Sequence, residues 1–325
     1  MNQKTRKPHL RIALTSDCNF SCIYCKEGGE GTKSDSELDL KDIKKILELA
    51  KKVGFSHLKF TGGEPLLYEK KYNNLFEIIK YAKDYLKYED VQMVTNGYFI
   101  LDYYEKILDS GLDSLTVSLD SSNAYDFRKI TSVDCFEKII DGIEIIRNNG
   151  LPIVINSVYF DKNSHDINKM IDLACDLRVN IKILDYVNFN RDAKYKPLSD
   201  LYEYLNKKFG KFEYILPPGG LGTPMRKYSY NGSNIILKDA TVGTNYNKEV
   251  CNKCIHYPCQ DAMISLRITS DGQLKRCLIR DDNLINIKSD MDKGDYDKVM
   301  LKLQESYDLL INSNYEKESW KAKDI

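Results

Sequence analysis

Cys18-Asn19-Phe20-Ser21-Cys22-Ile23-Tyr24-Cys25 places three thiols within eight residues. It directly follows an apolar stretch, Leu10-Arg11-Ile12-Ala13-Leu14, that reads as a buried strand. Three thiolates on one short loop can hold three irons of a cubane iron–sulfur cluster, whose full ligation takes four. One iron is then left open, and an open coordination position is where a substrate or cosubstrate meets a reactive metal. A zinc knuckle is the alternative use of the same thiols. A disulfide framework suits the chain less, because nine cysteines in 325 residues without a signal peptide fit a reducing compartment.

Further along, Thr61-Gly62-Gly63-Glu64-Pro65 offers bare backbone to a ligand, and the Glu64 carboxylate beside the glycines can attract an ammonium group. Thr95-Asn96-Gly97 and Ser118-Leu119-Asp120 close two more strand-like runs, each of which alone reads as a turn or helix cap. A second concentration of thiols comprises Cys251, Cys254, Cys259 and Cys277. The run 264–277 reads as a hairpin turning at Asp271-Gly272, which returns Cys277 toward the other three. Four thiols suffice for a fully ligated cluster or for a zinc ion. Cys135 and Cys175 lie on helical patterns and read as small core residues.

The elements that must position these groups alternate. Strand signals fall at 9–14, 57–60, 91–95, 114–119, 152–158 and 181–186, separated by helical patterns. Asp39 can cap a helix whose apolar residues Ile43, Ile46, Leu47, Ala50 and Val53 keep helical period up to Gly54. Residues 70–88, 102–110, 135–149 and 164–178 behave similarly, and a weaker segment at 198–209 reads as a last helix. Six β-α units in succession predict an α/β fold with a parallel sheet, either open and doubly wound or a curved partial barrel. The cysteine loop lies just past the carboxyl end of the first strand, where parallel α/β folds put their chemistry. The Pro217–Pro224 run breaks regular structure and predicts a boundary between a domain 1–216 and a domain 217–325.

Basic and acidic side chains number 48 each, so no net field favours nucleic acid or an anionic membrane. The start of the chain carries positive charge but no apolar stretch long enough for a secretory segment or a membrane span, which predicts a cytoplasmic protein.

Taken together, the cysteine loop and the Gly-Gly-Glu-Pro turn resemble the signature of the radical S-adenosylmethionine (SAM) superfamily. From about residue 9 to 285 the chain is similar to its MoaA family, the GTP cyclases of molybdenum-cofactor biosynthesis, and to members with a SPASM or twitch auxiliary-cluster domain. The likeness also runs through Leu10-Arg11-Ile12, Ile155-Asn156-Ser157-Val158 and the stretch Leu266–Gly272 before Cys277.

The resemblance implies a partial (β/α)6 TIM barrel with a small C-terminal auxiliary iron–sulfur cluster domain. It implies a [4Fe-4S] cluster on Cys18, Cys22 and Cys25 with SAM at its open iron. The implied SAM contacts are Tyr24 through its backbone, Gly62, Gly63, Glu64, Thr95 and Ser118. A second [4Fe-4S] cluster would sit on Cys251, Cys254, Cys259 and Cys277. In such enzymes the reduced cluster splits SAM into methionine and a 5′-deoxyadenosyl radical that abstracts a substrate hydrogen, the electron coming from a flavodoxin- or ferredoxin-type reductant.

Arg11, Lys59 and Arg267 stand where substrate contacts are implied and favour an anionic group on a small-molecule, nucleotide-derived or peptide substrate. Against GTP itself, Lys59 replaces an arginine, Val154 replaces a phosphate-contacting lysine and Ser265 replaces a purine-site arginine. Cys259 offers a fourth auxiliary thiol where the cyclase keeps an iron free, and the chain ends Trp320–Ile325 in place of a Gly-Gly tail. A peptide-modifying maturase is the nearest rival within the class; such enzymes often carry a leader-binding winged helix, for which no room appears before residue 9. A GTP cyclase is the alternative within the class, and a non-catalytic iron–sulfur electron carrier or redox sensor the alternative outside it.

Overall fold

The computed structural model describes residues 6–186, 193–217, 220–257, 259, 261 and 263–316. Pro218 and Gly219 of the proline-glycine run, and the terminal Trp320–Ile325, lie outside them.

All six expected strands are present: β1 His9–Ala13, β2 His57–Thr61, β3 Asp90–Thr95, β4 Ser114–Ser118, β5 Ile153–Tyr159 and β6 Asn180–Asp185. They are followed by β7 Glu213–Ile215, β8 Met225–Tyr230, β9 Ser233–Lys238, β10 Thr244–Tyr246, β11 Ser265–Ile268, β12 Gln273–Lys275, β13 Leu284–Asn286 and β14 Asn314–Glu316. Twelve of them form one curled half-barrel sheet in the order β13-β12-β11-β1-β2-β3-β4-β5-β6-β9-β8-β7, and β10 pairs with β14. From β11 through β9 every pairing is parallel, and antiparallel hairpins finish both edges.

Successive side chains on a strand point to opposite faces. Leu10 and Ile12, Leu58 and Phe60, Val91 and Met93, Leu115 and Val117, and Ile181 and Ile183 are all buried on the helix side. The intervening Arg11, Lys59, Gln92, Thr116 and Lys182 therefore line the concave face. Strands of a parallel sheet covered on both faces read as unbroken apolar runs. The alternation here marks a polar lumen.

Helix Leu40–Val53 forms as expected: Asp39 accepts from the Asp42 amide at 2.7 Å, and Gly54 ends the helix at φ +122°. The pattern at 70–88 is not one helix. It begins earlier, at Pro65–Tyr72, with proline in the first turn and the Glu64 side chain as cap, and stops at Asn73 in the left-handed region (φ +52°). A second helix, Leu75–Lys80, continues into a wider turn, Tyr81–Tyr85, with the Glu69 carboxylate accepting from Leu75 N at 2.9 Å. A helix at Ala124–Thr131, capped by Asn123, is absent from the periodicity reading because its eight residues carry too short a pattern. The expected hairpin turns at Asp271-Gly272 between β11 and β12.

The 216/217 division falls between β7 and β8, which pair with each other. Residues beyond it supply strands to both edges of the sheet, β11–β13 beside β1 and β8–β9 beside β6. No helix among the described residues is long and apolar enough to cross a membrane.

On the helix side, Asp185 at the end of β6 is buried, with Oδ2 accepting from Ala240 N at 2.6 Å and Oδ1 lacking a partner. Burial, then the charge of Asp239, pushes its carboxyl up to about 8. The native state thus keeps a proton that the unfolded chain releases near pH 4. Stability should fall as pH rises through that window, by up to ~1.4 kcal/mol per unit. Asp185→Asn should flatten the dependence of Tm on pH between about 6 and 8. Equal slopes in the two proteins would refute this.

Candidate active site

The loop after β1 rests on the glycine turn after β2. Gly63 N donates to Thr15 O at 2.7 Å and Glu64 N to Asp17 O at 2.8 Å. A Cβ on Gly63 would lie 2.0 Å from Asp17 O, and one on Gly62 (φ +147°) would lie 2.5 Å from Thr15 O. Both glycines are thus demanded by the close passage of the cysteine loop. The loop is also pinned from its other side, with Ser21 N to Thr131 O at 3.1 Å and Ile23 N to Ile130 O at 3.0 Å. These anchors are backbone groups, which fix the positions of the thiols without using side chains.

Cys18, Cys22 and Cys25 line one cavity of about 250 Å³, together with Gly62, Gly63, Thr95 and Ser118. Asn96 Nδ2 approaches Cys18 Sγ at 3.7 Å and donates to Asn19 Oδ1 at 2.8 Å. Burial pushes the Cys22 and Cys25 thiols up, Cys25 to about 11. Iron must therefore draw off these protons when it binds. Three converging thiols with bare glycine backbone opposite fit a cluster carrying a chelating cosubstrate.

Tyr24 is held by its side chain. Its hydroxyl donates to Asp120 Oδ2 at 2.5 Å and its ring packs on Phe160 at 5.5 Å between centroids. Asp120 also accepts from Val158 N at 2.7 Å, and burial pushes its carboxyl up to about 6. Asp120, from the Ser-Leu-Asp run, and Asn96, from the Thr-Asn-Gly run, are positioning residues that the motifs alone did not distinguish from turn formers.

Glu64 has protein partners of its own. Its buried carboxylate accepts from Leu66 N at 3.0 Å, Thr95 Oγ1 at 2.7 Å and Asn96 N at 2.7 Å, and it does not line the cavity. The carboxylate that spacing offers to an ammonium ion also fixes β3's end and caps a helix. Burial, against these three donors, pushes it up to about 7.

Arg11, Lys59 and Arg267 stand at paired register positions of β1, β2 and β11. Lys182 and Lys238 face the same lumen, since Lys182 pairs with Asn156 and Ile236, and Lys238 with Leu184. Two carboxylates answer them. Glu30 Oε2 accepts from Arg11 Nε at 2.6 Å and lies 3.7 Å from Arg267 Nε; Asp261 Oδ1 accepts from Arg267 at 2.5 Å. Lys59, Lys182 and Lys238 make no ion pair within 4.0 Å among the described residues. Burial pushes all three down, Lys238 to about 8 against the pull of Asp261. Sequence reasoning missed Glu30, Lys182, Lys238 and Asp261; the polar–apolar alternation Asn180-Ile181-Lys182-Ile183 is the signal that points to the second.

Cys251, Cys254, Cys259 and Cys277 line a second, small cavity with Asp261, Met263 and Ile279. Helix Lys248–Cys251, capped by Asn247, delivers the first thiol, Cys254 N donates to Cys251 O at 3.0 Å, and the β11–β12 hairpin delivers Cys277. Thr244 Oγ1 holds the Cys259 carbonyl at 3.0 Å. Asp261 joins this cavity to the lumen, accepting from Leu278 N at 2.9 Å as well as from Arg267. Four thiols around one space fit a fully ligated cluster. Cys135 and Cys175 are buried in the core, away from both sites.

A half-barrel whose mouth holds a three-thiol loop over bare glycine backbone is the build of an iron–sulfur enzyme that handles a chelating cosubstrate. The chain belongs to the radical SAM superfamily, whose family model matches residues 12–174. It is 33% identical over 303 residues to a probable GTP 3′,8-cyclase of Saccharolobus solfataricus, a match covering 88% of this chain and 87% of that one. A probable GTP 3′,8-cyclase of Methanocaldococcus jannaschii is 29% identical over 289 residues, covering 88% and 90%.

Among solved structures, anSMEcpe with bound AdoMet is similar in fold, with TM-score 0.63, 16% identity and coverage of 92% and 82%. Streptococcus suis SuiB bound to S-adenosylmethionine follows at TM-score 0.60 and 18% identity, with 87% of this chain spanning 61% of SuiB. The protein is accordingly a MoaA-like radical SAM enzyme, and the electron-carrier alternative falls away. A [4Fe-4S] cluster and SAM are the family's cofactors, and together they supply a 5′-deoxyadenosyl radical for hydrogen abstraction.

Proposed function

We propose that Cys18, Cys22 and Cys25 hold the SAM cluster, and that the radical made there acts on a phosphorylated, nucleotide-class small molecule seated in the lumen. The observation that carries this reading is the set of three half-buried lysines facing the lumen, Lys59, Lys182 and Lys238, without ion pairs among the described residues. Desolvating ammonium groups, even in part, without counter-ions is unfavourable, and a polyphosphate relieves it. Lys238 on β9 makes up for the cation that Val154 lacks on β5. Glycine amides and carbonyls of residues 62–63 and the polar groups of Thr95 and Ser118 surround SAM. Asp120 keeps the Tyr24 ring turned aside so that its backbone borders the cosubstrate.

The four-thiol cavity holds a second [4Fe-4S] cluster, closed to substrate by Cys259, that passes electrons. A flavodoxin- or ferredoxin-type protein supplies the reducing electron. Anaerobic reconstitution with dithionite and SAM should release 5′-deoxyadenosine well beyond a Cys18→Ala control; equal release would sink the catalytic assignment. Lys182→Met and Lys238→Met should each weaken binding of inorganic tripolyphosphate by about tenfold or more, the usual worth of a charged hydrogen bond. Unchanged affinity in both would remove the phosphate reading.

GTP cyclisation is the second reading, favoured by the relatives at 33% identity. With Ser265 and a closed auxiliary cluster in the purine region, we expect GTP to bind through its triphosphate and to yield no cyclised product. Stoichiometric cyclised product by mass spectrometry would establish the second reading instead.

A further inference from the structure

The lumen already contains an anion of its own. Glu30 lies in Glu27-Gly28-Gly29-Glu30-Gly31, a run in which Gly28 and Gly29 take φ +80° and +62°. Its carboxylate grips Arg11 through both oxygens and faces Arg267 at 3.7 Å, so it occupies the position that a substrate's negative group would take on these two arginines. Burial disfavours the charge, yet Arg11 and Arg267 outweigh it and hold the carboxyl below its ordinary range.

The loop that carries Glu30 is tied to the rest of the chain chiefly through side chains, Lys26 to Asp281 at 2.9 Å and Glu30 to Arg11, and few of its backbone bonds leave the loop. Glu30 N reaches Gly62 O at 3.5 Å, and Lys275 Nζ reaches Gly31 O at 3.3 Å, while the other backbone bonds, Gly29 N to Lys26 O and Gly31 N to Gly28 O, stay within the loop. Three glycines around one carboxylate leave the backbone free to swing it. Glu30, Gly29 and Lys26 also border the SAM cavity, so the loop has one face on each space.

We propose that Glu30 is a tethered competitor for the substrate's anionic group and thereby selects for ligands with several negative charges close together. The inference rests on the reading of the lumen as a phosphate site. A carboxylate held on a short loop competes at an effective concentration in the millimolar range or above. A free monocarboxylate offers Arg11 the same fork geometry and gains nothing by replacing it. A di- or triphosphate binds Arg11 and the unpaired lysines at once, and only such a ligand displaces Glu30. Its release carries the neighbouring Gly29 with it, which couples arrival of the polyanion to the shape of the SAM cavity.

The test is calorimetric titration of the anaerobically reconstituted enzyme with inorganic pyrophosphate and, separately, acetate. Wild type should bind pyrophosphate and not acetate, and Glu30→Gln should bind pyrophosphate about tenfold tighter or more, the gain from losing a charged competitor. Equal or weaker binding by Glu30→Gln overturns the inference and leaves the phosphate reading standing. Pyrophosphate binding by neither protein overturns both. Hydrogen exchange on the wild type gives a second readout that needs no variant. Residues 26–33 should exchange faster when pyrophosphate is added, and protection there would overturn the displacement.

Discussion

Replacing Cys22 with alanine should abolish release of 5′-deoxyadenosine and remove about four of the roughly eight irons expected per chain, four for each cubane. Cys22 is the middle thiol of the loop, and its carbonyl accepts from Cys25 N at 3.0 Å, so the segment between the two is a tight turn with no slack to bring another ligand in. The next candidates, Cys251, Cys254, Cys259 and Cys277, line a separate cavity. With two thiols the first cluster has no stable seat. The same substitution should leave iron at the second site in place, which separates loss of a ligand from loss of the fold. Iron analysis of Cys22→Ala that matched wild type would refute the ligand assignment.

Gly63→Ala is the second large effect. The added Cβ meets Asp17 O at 2.0 Å and Asp17 C at 2.4 Å, and both are backbone atoms of the cysteine loop, which no rotamer change can move aside. The glycine turn must part from the loop above it, breaking the bonds from Gly63 N and Glu64 N. We expect a loss of roughly 3 kcal/mol or more, at the severe end for overpacking, and SAM cleavage near background. Gly150→Ala is the control. Its Cβ would meet nothing within 4 Å, so only the left-handed φ of +86° is strained, at a cost of about 1 kcal/mol. Gly63→Ala with the Tm and SAM cleavage of Gly150→Ala would show that the loop does not rest on the turn as described.

What could be read in advance was local. Three thiols on one turn, paired glycines after a strand and six alternating strand and helix periods each occupy a short stretch, so spacing alone exposes them. Glu30, Lys182, Lys238 and Asp261 could not be found that way. Each gains its meaning from a strand or loop distant in sequence, and only the register of β6 with β9 turns Lys238 toward Arg11. The protein partners of Glu64 were hidden for the same reason: Thr95 and Asn96 lie 31 and 32 residues away. The helix at 70–88 broke at Asn73 because Glu69 offered Leu75 a cap, a contact that periodicity does not register.

The pairing of Leu10 with Leu266 joins positions 256 residues apart (266 − 10). During synthesis the ribosome must reach the last fifth of the polypeptide before the first strand acquires its second neighbour, and β6 waits likewise for β9. Until then both flanks of the nascent half-barrel are raw hydrogen-bonding edges, a template for self-association. Expression slowed late in the message should therefore cost this protein more solubility than slowing early on, and a polypeptide stopped at residue 216 should be recovered in inclusion bodies.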